Sequence, residues 1–167
     1  MIDKTIQFLT NQLNQHLKNL YTVHDDLAVA SPMLAPGGQP APGIQNKVVL
    51  TLINIKQDAL LKNEPVYKIN NTSPIVGNAP LHISLTLLFA ANFDNYAEAL
   101  KFISATMKFF QGKSVFNQSN SPEMDSSVDS LILDLENTSI QDLKSIWGMH
   151  GDYYLPSVIY KLRMLTA

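Results

Sequence analysis

Residues 81–112 constrain the fold more than any other stretch. They read as one strand running directly into one helix, LHISLTLLFAANF and then DNYAEALKFISATMKFFQG. In the first part, Leu81, Ile83, Leu85, Leu87 and Phe89 alternate with His82, Ser84 and Thr86. A period of two gives a β-strand one apolar face. Leu88 and Ala90 interrupt the polar side, so the second face is partly covered near the strand's end. In the second part, Tyr96, Leu100, Ile103, Met107 and Phe110 recur at steps of four and three, one stripe of an α-helix. That stripe is expected to be the buried one, with Asn95, Glu98, Lys101, Ser104 and Lys108 facing water. Asp94 is the expected N-cap, and Gly112 sits where a left-handed C-cap residue belongs. Strand and helix each come to ~25–30 Å, so the helix can fold back along its own strand.

The rest of the chain is read outward from this unit. Residues 2–20 carry a helical stripe of Ile2, Ile6, Leu9, Leu13, Leu17 and Leu20, with His16 beside it. Residues 21–29 fit a short strand or a turn. Residues 31–46, SPMLAPGGQPAPGIQN, hold four prolines and three glycines, which excludes a helix or a central strand. A loop of this length is either a plain hairpin connection or an arm that orders against a neighbouring subunit. Met33 and Leu34 are its apolar residues. Residues 47–56 form a strand apolar on both faces and therefore central, with Asn54 as its polar exception. Residues 57–73 read as a polar meander with a short strand at 66–69, and 72–80 as a turn.

After the second helix, residues 113–127 read as a polar loop. Residues 128–136 form a strand with Leu131, Leu133 and Leu135 on one face. Residues 138–147 form a short helix opened by Ser139 and Asp142, with Ile140, Leu143, Ile146 and Trp147 on its apolar side. Residues 154–165 close the chain as a strand. Pro156 cannot donate to a ladder, so it belongs on an open edge or at a strand start. The order α, β, (β), β, α, β, α, β predicts one α+β domain over 1–167. It has a mostly antiparallel sheet of four to six strands, two long helices on one face, and one short helix.

Only 16% of the 167 residues are charged, against ~25% in a typical domain. The missing charge favours an assembly in which part of the surface never meets water. Net charge is −2 and Arg163 is the one arginine, so no basic stripe exists to attract nucleic acid. Cysteine is absent, which excludes disulfide frameworks and thiolate metal sites and fits a reducing compartment. The polar, amphipathic N-terminus lacks a secretory signal, and no apolar run reaches the ~18 residues of a membrane span. A cytoplasmic folding compartment and no direct membrane insertion are the expectations.

Catalytic motifs are nearly absent: no GxSxG, P-loop, GxGxxG or HExxH. His16, His24, His82 and His150 are scattered. His24 beside Asp25 and Asp26, and His150 beside Asp152, would be the polar clusters of a small enzyme or ligand-binding domain. Glu123, Asp125 and Asp129 lack the glycine and glutamate spacing of a calcium loop. No catalytic residue, cofactor or metal ligand is expected. Trp147, Tyr153 and Tyr154 read either as core packing or as interface anchors. With Met33, Leu34 and Arg163 they form the set of candidate interface residues.

The C-terminal half carries a recognisable pattern. A strand, LILDLENTS, leads to a short helix ending in tryptophan, IQDLKSIWGMHG, and then to YYLPSVIYKLRML. Upstream stand NKVVLTLINI and the 81–112 unit. The chain resembles the tail-terminator or cap family of phage-tail-like contractile injection systems, in the N-terminal domain of their cap proteins. The resemblance spans nearly the whole chain and rests on packing motifs, above all Leu143–Ile146–Trp147 followed by Pro156, Val158 and Tyr160. It implies a homohexameric ring on the last layer of inner tube and contractile sheath, which stops both polymers growing. It also implies assembly in the cytoplasm and incorporation into the particle. A baseplate or neck adaptor of the same machine is the alternative. Longer members of the family continue beyond this domain, whereas this chain stops at Ala167 after its last strand.

Overall fold

The structure is a computed structural model that describes residues 1–58, 67–70, 73–76 and 80–166. The elements in chain order are α1 (Ile2–Tyr21), β1 (Ala28–Ala30), β2 (Lys47–Gln57), β3 (Tyr67–Asn70), β4 (Ser73–Val76), β5 (His82–Asn92), α2 (Tyr96–Gly112), β6 (Val115–Asn117), β7 (Val128–Leu135), α3 (Ile140–Gly148) and β8 (Ser157–Thr166). Six strands form one sheet in the order β1-β2-β5-β8-β7-β6. The β1–β2 pair is parallel and the others are antiparallel. Strands β3 and β4 pair with each other apart from this sheet. The expected short strand at 66–69 is β3, although Val66 lies outside the described residues. The expected turn at 72–80 contains β4, with 72 and 77–79 outside the described residues, as are 59–66 of the expected meander.

The 81–112 unit sits at the centre. Strand β5 lies between β2 and β8. Ile83, Leu85, Leu87 and Phe89 pack with Leu9, Leu13 and Leu17 of α1, Phe102 and Phe110 of α2, and Leu162 and Met164 of β8. The rings of Phe89, Phe110 and Tyr160 meet at 5.1–5.6 Å between centroids, and Phe93 stacks on Phe102 at 4.4 Å. His16 closes the seam between the long helices by stacking on Phe109 at 4.7 Å. The alternate residues Leu88 and Ala90 face the other side, where they meet Trp147 of α3 and Met33, Ala41 and Ile44 of the 31–46 loop. Helices α1 and α2 therefore cover one face, and α3 with the loop covers the other.

Several local expectations are corrected. The buried side of α2 is Ala99, Phe102, Ala105, Thr106 and Phe110. Tyr96, Leu100 and Met107 are exposed. The helix carries two apolar stripes that share Phe110, and the one through Ala99, Phe102 and Thr106 takes the sheet, with Phe102 ringed by Tyr21 and Phe93. The N-cap of α2 is Asn95, whose side chain accepts from the Glu98 amide at 3.0 Å. The Asp94 amide instead donates to Asn46 Oδ1 at 3.2 Å, and Gly112 ends the helix without a left-handed residue after it. In α1, Phe8 is buried and Leu20 is exposed. Leu135 and Ile140 fall at the ends of their elements, where the core no longer reaches them, and both are exposed. Within the expected polar loop 113–127, Val115–Asn117 is an edge strand with Phe116 wholly buried. Strand β8 starts after Pro156, whose carbonyl accepts from the Ala91 amide at 2.9 Å. Asn54 stands at a bulge of β2 and its side chain accepts from the Ile55 amide at 2.9 Å.

Candidate interaction surface

The second face of the sheet holds most of the residues singled out above. Its foundation is α3. Ser139 caps the helix by accepting from the Asp142 amide at 3.1 Å, which fixes the helix phase and turns Trp147 inward. Trp147 is 3% exposed and donates from its indole Nε1 to Ser157 Oγ at 3.3 Å. A buried indole needs such a partner. The helix stops in a tight turn in which the amides of His150 and Asp152 both point to the Trp147 carbonyl. Gly151 and Asp152 have φ of +81° and +58°, a conformation that favours glycine at the first of them.

The 31–46 loop lies across this foundation. Met33 is 6% exposed and belongs to the chain's own core. Leu34 and Pro40 form an isolated antiparallel bridge, and the Ala41 amide donates to the Met33 carbonyl at 3.1 Å. Both ends are pinned. Thr51 Oγ1 donates to the Ser31 carbonyl at 2.7 Å, and Asn92 Nδ2 to the Ile44 carbonyl at 3.1 Å. The loop is thus a folded layer over the second face of the sheet. It also touches the α3–β8 turn closely. A Cβ on Gly151 would stand 3.1 Å from Leu34 Cδ1.

Loop and turn leave between them a cavity of about 650 Å³, walled by Met33, Leu34, Ile44 and Leu155, with Tyr153 and Asp94 among its lining residues. No side chain from 31 to 46 is charged. His150 lines the cavity with its ring against Trp147 at 6.0 Å. Burial holds its imidazole below the ordinary value of 6.5. Its Nε2 is buried and, among the described residues, has no hydrogen-bond partner. Tyr153 is 74% exposed, and Tyr154, also exposed, leans edge-on against Trp147 at 5.6 Å.

Five of the six candidate residues therefore come together: Met33 and Trp147 as the floor, Leu34 as a wall, Tyr153 as the rim and Tyr154 beside it. Arg163 does not join them. It stands near the far end of β8, paired through Nη2 with Asp134 Oδ2 at 2.6 Å. The sequence reading missed His150 as part of this surface and Tyr96, Leu100 and Met107 as exposed groups on the helical side. The signal for the latter was present in the competing stripe through Ala99, Phe102 and Thr106.

The polar clusters are dispersed or already engaged. Asp26 accepts from Asn14 Nδ2 at 2.9 Å and lies 3.6 Å from Lys18, contacts that hold its carboxyl below the usual range. Asp125 is lowered chiefly by the Ser127 amide, with Lys4 at 3.7 Å. Among the described residues no three histidine or carboxylate side chains converge on a metal-sized site.

The family model described as the Pvc16 N-terminal domain matches residues 4–167. No curated protein sequence matches. Among solved structures, the chain is similar to the sheath/tube terminator of PVC, an extracellular contractile injection system, in its extended state. The identity is 12% and the TM-score 0.59, over 93% of this chain and 56% of that one. It is similar also to the tube-terminating cap of AFP, the anti-feeding prophage, with 13% identity and a TM-score of 0.60, over 95% of this chain and 54% of that one. At these identities the likeness is one of fold, and this chain spans little more than half the length of either structure.

Proposed function

This chain belongs to the Pvc16 N-terminal domain family, and from that membership we propose that it is a structural cap of a contractile injection system. It sits on the distal end of the inner tube and sheath and stops both from growing. The observation that carries the reading is the likeness of fold to a sheath/tube terminator and a tube-terminating cap over more than nine-tenths of the chain. The working form is a ring of six copies. A head-to-tail contact that closes gives such a ring, and one that does not close gives a filament. Six modest contacts acting together hold firmly although each alone is weak.

The role needs no reacting group. Its partners are further copies of itself, the tube protein and the sheath protein, with neither nucleic acid nor a membrane involved. No helix among the described residues is long and apolar enough to cross a membrane. The subunit folds in the cytoplasm and is then built into the particle.

The test is deletion of the gene followed by electron microscopy of the particles. Tubes and sheaths of uncontrolled length, with the blunt end missing its final layer, are expected. Particles of unchanged length with a normal blunt end would sink the reading. Particles of normal length that lack a baseplate would move the chain to the other end of the machine.

A further inference from the structure

We propose that Asn120 guards the free edge of β6: its carboxamide stands where a neighbouring strand would and keeps a second copy of the chain from extending the sheet there. The inference concerns the chain's own sheet and holds whether or not the chain caps a tube. Strand β6 is the last in the sheet's order and pairs with β7. The Leu133 amide donates to the Ser114 carbonyl, and Phe116 lies opposite Leu131. Residues alternate in an antiparallel ladder. Ser114 and Phe116 therefore turn their backbone groups to β7, and Val115 and Asn117 turn theirs outward. Such outward N–H and C=O groups are a template for another chain. The sequence of β6, Val-Phe-Asn, has neither proline nor charge to blunt it, and its register with β7 runs without a bulge.

Asn120 takes up that template. Its Nδ2 donates to the Val115 carbonyl at 3.0 Å, and its Oδ1 accepts from the Asn117 amide at 3.0 Å. A carbonyl on one residue and an amide on the second residue after it are the two groups that one residue of a parallel neighbouring strand engages. The side chain thus replaces that residue opposite Phe116. The turn holds it in place. The Asn120 amide donates to Asn117 Oδ1 at 3.0 Å, and the Ser121 amide donates to the Asn117 carbonyl at 2.9 Å. Ser121 is wholly buried, and its Oγ donates to Asn120 Oδ1 at 2.9 Å. With two donors on Oδ1 and a carbonyl facing Nδ2, only one orientation of the carboxamide satisfies every group.

The opposite edge is treated alike. In β1, the Leu27 carbonyl accepts from the Val48 amide and the Ser31 amide donates to the Leu50 carbonyl. Alternate residues face β2 in this parallel ladder, so Ala28 turns outward. Asn14 Oδ1, on α1, accepts from the Leu27 and Ala28 amides at 2.8 and 3.2 Å. Both edges of the sheet thus carry an asparagine side chain on backbone groups that a further strand would use. The strand excluded at β6 is that of a second copy, because two such edges can pair antiparallel about a two-fold axis through Val115 and Asn117. That pairing is isologous and does not propagate head to tail, so any ring of these chains is built through other surfaces.

The test opens the edge and then closes it by other means. Asn120 is exposed, and Asn120→Ala removes both edge contacts. In dilute solution the Asn117 amide should then exchange its hydrogen several-fold faster. As concentration rises, sedimentation velocity should show pairs of whatever species the natural chain forms. Adding Val115→Pro removes an outward N–H at the first residue of β6, where no bond to β7 is lost. Adding Val115→Lys instead places a charge on the same exposed position. Either addition should return sedimentation to that of the natural chain, and circular dichroism checks that every variant is folded. An unchanged Asn117 exchange rate, or sedimentation of Asn120→Ala equal to the natural chain at every concentration, would overturn the guard. Association that survives both Val115→Pro and Val115→Lys would overturn it as well, since it would not run through the β6 edge.

Discussion

Trp147 anchors the second face of the sheet. Its body is buried among Met33, Ile44, Val49, Leu88 and Ile159, and its indole N–H is satisfied by Ser157. Trp147→Ala should cost about 3–5 kcal/mol, read from urea denaturation, since it leaves a large cavity that the loop cannot fill. Gly151→Ala combines a φ of +81° with a 3.1 Å approach to Leu34. It should destabilise by about 1–2 kcal/mol, read in the same assay. His150 gives the fold a pH dependence. Its pKa is lowered in the folded state by burial, so below the unfolded value of ~6.5 the unfolded chain binds the extra proton. The stability is fully present above that value and is lost as pH falls from it toward the lower folded pKa. The urea midpoint of the natural chain should therefore drop more between pH 7.5 and pH 5.5 than that of His150→Gln. Equal drops would show the imidazole to be indifferent. Asp26 and Asp125, both lowered, act in another window, losing their contribution only as pH falls below the unfolded carboxylate value of 3.8.

Among the elements, β5 was the most legible because Ile83, Leu85, Leu87 and Phe89 hold one face apolar without a break. The sheet order could be guessed only in class, since register and crossing depend on partners remote in sequence. Helix α2 was legible as a helix and not as an orientation. Two apolar stripes lie side by side on it, and periodicity alone does not say which one the sheet takes. Phe102→Ala should thus cost about 3–5 kcal/mol in thermal or urea unfolding, while Leu100→Gln should stay within about 0.5 kcal/mol. The reverse order would restore the stripe read from the sequence. Capping is equally specific: Asn95→Ala should cost about 1 kcal/mol and Asp94→Ala much less. Strand β6 was hidden because an edge strand of three residues has too few positions to show a period, and only Phe116 betrays it. The 31–46 loop was legible as irregular, but its fold depends on backbone hydrogen bonds and on Leu34 meeting Gly151, which no composition encodes. The candidate surface was half legible for the same reason. Its aromatic residues stood out, while the burial of the His150 nitrogen exists only once loop and turn are placed.

For the molecule as a whole, the sheet is a partition: helices α1 and α2 on one side, α3 and the loop on the other. If the ring is the working form, sedimentation at rising concentration should show a steep passage from one copy to a closed species with little in between, because the last contact closes the circle at no further cost in translational freedom. A continuous series of ever larger species would mean an open filament. The pinned loop carries one more consequence. With Ser31 and Ile44 tied to the sheet at either end, the hollow beside it keeps its shape when nothing occupies it. An incoming side chain then loses little to the ordering of its host. Differences among partners should appear as how long they stay, with arrival rates nearly alike.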